Sequence, residues 1–343
     1  MIVLTTGNLL EDQSEAYVNT VNTVGVMGKG IALQFKQAFP DVFKQYAKDC
    51  KQGLVEVGSM HVVSVEGLTN PKYVINFPTK RHWRDPSKMD YIESGLKDLV
   101  RVIKELGIQS IAIPPLGCGN GGLDWSEVLP KIEQAFINEQ VKVHLYGPAG
   151  APQPEQMRIG TKPPQMTKGR ALLLSLMDSY SVPGYRLSHL EIQKLAYFLQ
   201  EIGEPMKLRF EKNKYGPYAD NLNHVLQRME GHFIRGYGDR TREVDIYPLD
   251  DASEKAAKFL QKDQQSLDRL SRVKEIIHGF ETPYGMELLA TVHWVMKKNP
   301  EKSRDLTFVT EQIQNWNVRK KELFTAKHIE KVWRYLNSTN LVL

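Results

Sequence analysis

The feature that most constrains the fold is an alternation running through the first 146 residues. Short apolar runs at 2–5, 16–21, 58–65, 73–77, 110–113 and 141–146 are separated by segments whose apolar residues recur at helical spacing. Continuous apolar runs are the pattern of strands buried on both faces, and the helices between them supply the cover. A three-layer α/β domain is the expected result. The helical period is plainest at 90–106, where Ile92, Leu96, Leu99, Ile103 and Leu106 share a face and Asp90-x-x-Glu93 reads as a capping box. A second box, Asp124-Trp125-Ser126-Glu127, is expected to open a helix that ends before Asn138.

Beyond Gly147 the pattern breaks into Gly147-Pro148-Ala149-Gly150-Ala151-Pro152 and then Lys162-Pro163-Pro164, which neither a helix interior nor a central strand accommodates. A linker at 151–167 is therefore expected between a first domain, 1–150, and a second, 168–343. The second is expected to be mainly helical. Ser188-x-x-Glu191 caps a helix carrying Leu190, Leu195, Phe198 and Leu199, and further helices are expected at 219–229, 253–278, 283–297 and 326–337. Tyr215-Gly216-Pro217-Tyr218 reads as core and turn. Exposed aromatic, Met and Arg side chains such as Tyr218, Met229 and Arg235 are interface candidates.

Composition narrows the setting. No apolar run reaches the length of a membrane span, and the start has neither the basic region nor the apolar core of a signal peptide, so a cytoplasmic protein without a membrane partner is expected. The two cysteines, Cys50 and Cys118, and the scattered histidines have no metal-ligand spacing, and no metal is expected. Residues 1–155 carry 15 Lys and Arg against 17 Asp and Glu, net −2, whereas the remainder carries 30 against 23, net +7. A mildly basic second half permits contact with nucleic acid or an acidic protein face without demanding either.

Chemistry concentrates in two glycine-bearing turns, Asn22-Thr23-Val24-Gly25-Val26-Met27-Gly28-Lys29-Gly30-Ile31 and Gly117-Cys118-Gly119-Asn120-Gly121-Gly122, with Lys80 between them. Glycines let backbone N–H groups approach a ligand, and a turn that opens a helix aims those donors and the positive dipole end at an anion. Two such turns at strand ends can clasp a diphosphate. Asn22 enters the first turn, where its amide can serve ribose hydroxyls or an Asx-type turn equally well. Lys80 follows a strand apolar enough to be central. Arg81, Trp83 and Arg84 beside it offer phosphate contacts and a stacking ring for single-stranded DNA; packing of Trp83 on the sheet edge is the equal alternative.

At these turns and the lysine, the first domain resembles a macrodomain, and more narrowly the DarG-type antitoxins, which remove ADP-ribose from thymine bases in DNA. The run Asn19-Thr20-Val21-Asn22-Thr23-Val24-Gly25-Val26-Met27-Gly28-Lys29-Gly30-Ile31-Ala32 carries the resemblance, with Thr79-Lys80 after a strand. The second domain, around Leu187–Phe198 and Lys214–Tyr218, is similar to the helical antitoxin domains called Panacea. The resemblance implies a central mixed sheet, ADP-ribose as ligand with no cofactor, and catalysis by Lys80. Gly28, Gly30 and Ile31 would form the first phosphate loop and Gly117, Cys118, Gly119, Asn120, Gly121 and Gly122 the second, with Asn22 at the distal ribose. It also implies ADP-ribosylated single-stranded DNA as substrate and a DarT-type toxin as partner of the second domain. Two departures stand out. Gly121 replaces an aspartate that glutamate-directed relatives carry, and Asn8 stands where macrodomains show an aspartate for the adenine amino group. An ADP-ribose reader without catalysis, a hydrolase of modified protein carboxylates and an antitoxin acting chiefly by protein binding remain open at this point.

Overall fold

The computed structural model describes residues 1–149, 157–180, 184–238 and 245–339. They form two compact units, Met1–Lys162 and Pro163–Leu343. The first unit is built on one sheet of six strands, β1 (Ile2–Thr5), β2 (Ala16–Asn22), β3 (His61–Ser64), β4 (Tyr73–Lys80), β5 (Ser110–Ile113) and β6 (Lys142–Tyr146), in the order β1-β6-β5-β2-β4-β3. All neighbours pair in parallel except β3, which runs antiparallel to β4 at one edge. The sheet is therefore mixed, and the C-terminal ends of β1, β6, β5, β2 and β4 share one edge.

Both faces are covered, as the apolar runs require. Successive strand residues point to opposite sides. Val18, Ile75 and Ile111 join a core with Ile92, Leu99 and Val128 of α3 (Met89–Leu106) and α4 (Trp125–Phe136), while Tyr17, Val74 and Ala112 pack with Phe35 of α1 (Gly30–Ala38) and Val42 of α2 (Pro40–Lys51).

Three local expectations need correction. Strand β4 does not stop at Phe77 but continues through Pro78 to Lys80. Pro78 is tolerated because β3 pairs with β4 only as far as Asn76, so no neighbouring strand on that side needs the missing N–H. Helix α3 starts at Met89, so Asp90 lies inside the first turn instead of capping it, and Glu93 pairs with Lys131 of α4 at 2.7 Å. Asp124 does cap α4, accepting from the Ser126 N–H. Part of the expected linker also packs on the first unit: the Gly160 N–H donates to the Gln37 carbonyl at 2.7 Å, and the Arg158 guanidinium lies over the Phe39 ring. Residues 151–156 of that linker lie outside the described residues.

The second unit is mainly helical: α5 (Lys168–Ser179), α6 (His189–Glu201), α7 (Asp220–Met229), α8 (Asp250–Leu260), α9 (Gln264–Ile277), α10 (Pro283–Lys298), α11 (Leu306–Gln314), α12 (Val318–Leu323) and α13 (Ala326–Ser338). Helices α6 and α10 form its centre, buried along most of their lengths. The Ser188–Glu191 capping box on α6 forms in both directions. The single helix expected at 253–278 is two, because the chain breaks after Leu260 and Asp263 caps the second. A hairpin, β7 (Phe210–Asn213) with β8 (Gly216–Ala219), and a short antiparallel strand pair, β9 (Ile234–Arg235) with β10 (Tyr247–Pro248), interrupt the helices. Met229 and Arg235 are buried, at 0% and 3% exposure, and so are not available to a partner. Among the described residues no helix is long and apolar enough to cross a membrane.

Gly95 shows how tightly α3 sits on β4: a Cβ there would lie 2.3 Å from Phe77 Cζ. Gly→Ala in an open helix gains roughly 1 kcal/mol, but overpacking costs about 1–3 kcal/mol. Gly95→Ala is therefore expected to destabilise the protein by up to about 2 kcal/mol, read as a lower denaturation midpoint with unchanged slope.

Candidate functional site

The site begins at the end of the β2–β4 pair. The two strands run in register from Ala16↔Tyr73 to Val21↔Pro78, then shift so that Asn22 aligns with Lys80. The shift places the last residue of each strand side by side at the C-terminal edge, where ligands of open α/β sheets gather. A polar rung crosses the same strands one turn of pleat below. Asn19 and Asn76 are a register pair, both fully buried, and Asn19 Nδ2 donates to Asn76 Oδ1 at 2.9 Å. Asn76 Nδ2 meets His61 Nδ1 at 3.0 Å, and His61 Nε2 meets the Asp49 carboxylate of α2 at 2.8 Å. The hydrogen bond from His61 holds the Asp49 carboxyl below its ordinary range.

Above this rung the first glycine turn is organised by Asn22. Its Oδ1 accepts from the Val24 and Val26 N–H groups at 3.1 and 3.3 Å, and its Nδ2 donates to the Val26 carbonyl at 2.6 Å. The Tyr46 hydroxyl donates to the Asn22 carbonyl at 2.6 Å. Met27 is buried with Val21, Tyr46 and Val55 and plugs the turn into the unit beneath it. The chain then enters α1, whose N-cap Lys29 makes no side-chain cap bond. Among the described residues, the N–H groups of Gly28, Gly30 and Ile31 have no partner, those of Gly30 and Ile31 because they open the helix and Gly28 because it lies in the turn before the cap.

The second turn follows β5. Gly117 and Gly122 adopt positive φ, and a Cβ on Gly121 would lie 2.3 Å from both the Gly117 carbonyl oxygen and Ser87 Oγ. Ser87 also donates its N–H to the Gly121 carbonyl at 2.9 Å, so the turn rests on it. The N–H groups of Gly119, Asn120 and Gly121 find no partner among the described residues. Burial pushes the Cys118 thiol up to about 11.

Asn120 links the two turns with Lys80. Its side-chain amide sits 3.0 Å from where a Cβ on Gly30 would be, and its carbonyl accepts from Lys80 Nζ at 2.9 Å. Lys80 is half-buried, and burial lowers its pKa while nearby Asp85 opposes the fall. The amine thus stands at the mouth of a cradle of unpartnered N–H groups contributed by two loops.

The other residues around the sheet edge are placed as follows. Asn8 caps a turn of 3₁₀ helix after β1: its Oδ1 accepts from Leu10 N–H at 3.1 Å and its Nδ2 donates to Glu11 at 3.2 Å, which leaves one lone pair of the carbonyl for another donor. Tyr146, at the end of β6, is buried and donates to Asp12 at 2.8 Å. Trp83 is 39% exposed, with the Arg84 guanidinium 4.4 Å from its ring; Arg81 is exposed, and its carbonyl accepts from the Thr23 N–H at 3.0 Å. Sequence reasoning passed over Asn19, Asn76 and His61. The available signal was an asparagine in the middle of each of two otherwise apolar central strands.

Comparison with known proteins bears on the family. Residues 18–132 match the Macro domain family model. A protein of Thermus aquaticus named DNA ADP-ribosyl glycohydrolase is 48% identical over 96% of this chain and 91% of its own. The solved macrodomain of Mycobacterium tuberculosis DarG is 55% identical over 43% of this chain and 99% of that one, with a TM-score of 0.43. A Thermosipho africanus protein named as a DNA ADP-ribosyl transferase–DNA ADP-ribosyl glycohydrolase fusion is 36% identical over 42% of this chain and 41% of its own. The near full-length identity to the Thermus protein decides the matter: the chain belongs to the DNA ADP-ribosyl glycohydrolase family.

Proposed function

We propose that this protein hydrolyses the N-glycosidic bond between ADP-ribose and thymine in single-stranded DNA, with Lys80 as the catalytic residue. The second domain, residues 168–343, binds and neutralises a DarT-type toxin in the cytoplasm. The observation that carries the catalytic reading is the 2.9 Å hydrogen bond from Lys80 Nζ to the Asn120 carbonyl, inside a cradle of unpartnered backbone donors. The toxin reading is supported by the fused relative, whose name joins a transferase to a glycohydrolase in one chain.

The substrate brings its own anchor, so no cofactor enters. The diphosphate takes the N–H groups of Gly28, Gly30 and Ile31 on one side and of Gly119, Asn120 and Gly121 on the other, with Gly117, Cys118 and Gly122 shaping the second loop. Asn22 lies beside Lys80 where the distal ribose would sit, and Asn8 offers its remaining lone pair to adenine. Binding the remote nucleotide orients the sugar carbon against the amine. The neutral Lys80 amine adds to the anomeric carbon as the bond to thymine breaks; the electron pair leaves with the base, which takes a proton from solvent. Water then cleaves the sugar–lysine adduct and restores the amine. Arg81, Trp83 and Arg84 hold the neighbouring nucleotides. Gly121 leaves no carboxylate in the second loop to share the work, which disfavours the protein-carboxylate reaction.

Lys80→Ala is expected to lower the release of ADP-ribose from a modified thymidine oligonucleotide by at least about a hundredfold, while ADP-ribose affinity by calorimetry changes little. Release at the wild-type rate would refute the assignment.

Burial favours the neutral amine, so the folded pKa lies below the ordinary lysine value of 10.5. The reactive form grows as pH rises, and the rate is expected to climb with pH and level off below 10.5. A rate that falls over that range would mean that the ammonium, not the amine, does the work.

The two loop glycines give a matched pair. Gly121→Ala collides with the Gly117 carbonyl, which is backbone and cannot swing aside, whereas a Cβ on Gly119 meets nothing within 4 Å. Calorimetry with ADP-ribose is expected to show about a tenfold or greater loss for Gly121→Ala and a loss of less than about threefold for Gly119→Ala. Equal losses would argue against the described loop geometry.

A further inference from the structure

The second unit carries a face that its helical core does not explain. The β7–β8 turn and the corner between α11 and α12 are tied together: Trp316 Nε1 donates to the Asn213 carbonyl at 2.8 Å, and Asn317 Nδ2 donates to the Lys214 carbonyl at 3.1 Å. The joined surface brings aromatic rings and cations into alternation. Lys212 Nζ lies 4.5 Å from the Trp316 ring, and the Tyr215 ring has Lys214 Nζ at 5.3 Å and the Arg319 guanidinium at 4.8 Å. Lys321 follows on the exposed side of α12. Tyr215 is 41% exposed and Val318 72% exposed, so one ring and apolar carbon face water together with the charges, while Trp316 is half-buried against the helical core. The exposed carboxylates in these two segments are those of Glu211 and Glu322, and Glu211 alternates with Lys212 along the strand, on the opposite face of the hairpin.

We infer that this face binds single-stranded nucleic acid, with the exposed Tyr215 ring stacking on a base and Lys212, Lys214 and Lys321 meeting the backbone phosphates, while Arg319, anchored to Glu287, backs the Tyr215 ring. A lysine resting over the exposed Tyr215 ring is held weakly, and a base stacking on that ring gains more, so the incoming strand displaces Lys214 toward the adjacent phosphate. The charge pattern selects the occupant. A partner protein that itself grips DNA presents positive charge and is repelled here, whereas a polyanion with planar bases matches both halves of the surface. The inference is separate from the hydrolytic reading, because it concerns unmodified DNA and residues far along the chain from Lys80.

The test uses the full chain and an unmodified, fluorescein-labelled twenty-nucleotide oligo(dT), read by anisotropy at low and at physiological salt. Wild type is expected to bind, with affinity falling as salt rises. Lys212→Glu with Lys214→Glu is expected to weaken binding by about tenfold or more, and Lys212→Gln with Lys214→Gln by less, each with an unchanged melting curve. Tyr215→Ala is expected to weaken binding severalfold, with Tyr215→Phe retaining it. The glutamine pair serves if charge reversal impairs folding. Failure of wild type to bind, or binding by the folded Lys212→Glu, Lys214→Glu variant as tight as wild type, would each overturn the inference.

Discussion

The first unit depends on the pairing of β2 with β4. These strands occupy the middle of the sheet, and their ladder runs from Ala16 to the shifted pair Asn22 and Lys80. Because the side-chain period of a strand is two, a one-residue slip anywhere along that ladder would exchange the two cores and move Asn19 and Asn76 off the shared rung. The rung penalises such a slip heavily, since buried amides that lose their partners forfeit hydrogen bonds with no water to replace them. A polar contact between fully buried side chains therefore protects the register that brings Lys80 beside Asn22. The irregularity comes only at Val21 and Asn22, beyond the rung, where the neighbouring β3 ladder has already ended.

The cradle is an arrangement of unmet demands. Six backbone N–H groups from two loops point at no acceptor among the described residues, and each is tolerable only where water or a ligand can reach it. The loops keep this shape through contacts behind them: Met27 in its apolar seat, the Asn22 amide across its own turn, and Ser87 under Gly121. Lys80 differs, because its amine is already satisfied by the Asn120 carbonyl. That bond is a weak competitor for a half-buried amine, and it holds the side chain at the cradle's mouth instead of in solvent. Preorganisation of this kind reduces the ordering left for the substrate to bring about.

Much of this was legible in the sequence, and the failures have physical causes. The six strands and the two glycine turns could be placed because apolar runs and glycines report local constraints directly. The end of β4 was not, because Pro78 reads as a strand terminator unless one knows that β3 stops two residues earlier. The Asp90 box failed because a one-residue change in where α3 begins turns a cap into a first-turn carboxylate, and capping signals do not resolve that shift. Asn22 was balanced between a structural and a ligand role on sequence grounds, and the structure shows the structural one occupied, its amide bonded to Val24 and Val26. The Asn19–Asn76–His61–Asp49 rung was invisible because its members lie far apart in sequence and meet only once three strands and a helix have assembled.

In the second unit, buried polar groups decide what the exposed hairpin face looks like. Glu287 of α10 is 1% exposed and receives Lys320 Nζ at 2.6 Å and Arg319 at 2.7 Å, both from α12, while Lys320 also donates to Thr291 at 3.1 Å. Lys194 of α6, equally buried, donates to the Pro217 carbonyl of β8 at 2.7 Å, and burial pulls its pKa down to about 7. Gly216 sits where a Cβ would come within 2.8 Å of Thr291 Oγ1. These groups come from α6, α10, α12 and the hairpin, so one cluster sets the position of all four. Apolar side chains of similar size would pack these helices as stably, since burying an ion pair seldom gains net stability. What apolar packing lacks is direction: a carboxylate that must meet two cations admits few placements of α12. The ring of Tyr215 and the guanidinium of Arg319 are then presented to solvent in a fixed relation, because the backbone beneath each is held by the same buried set.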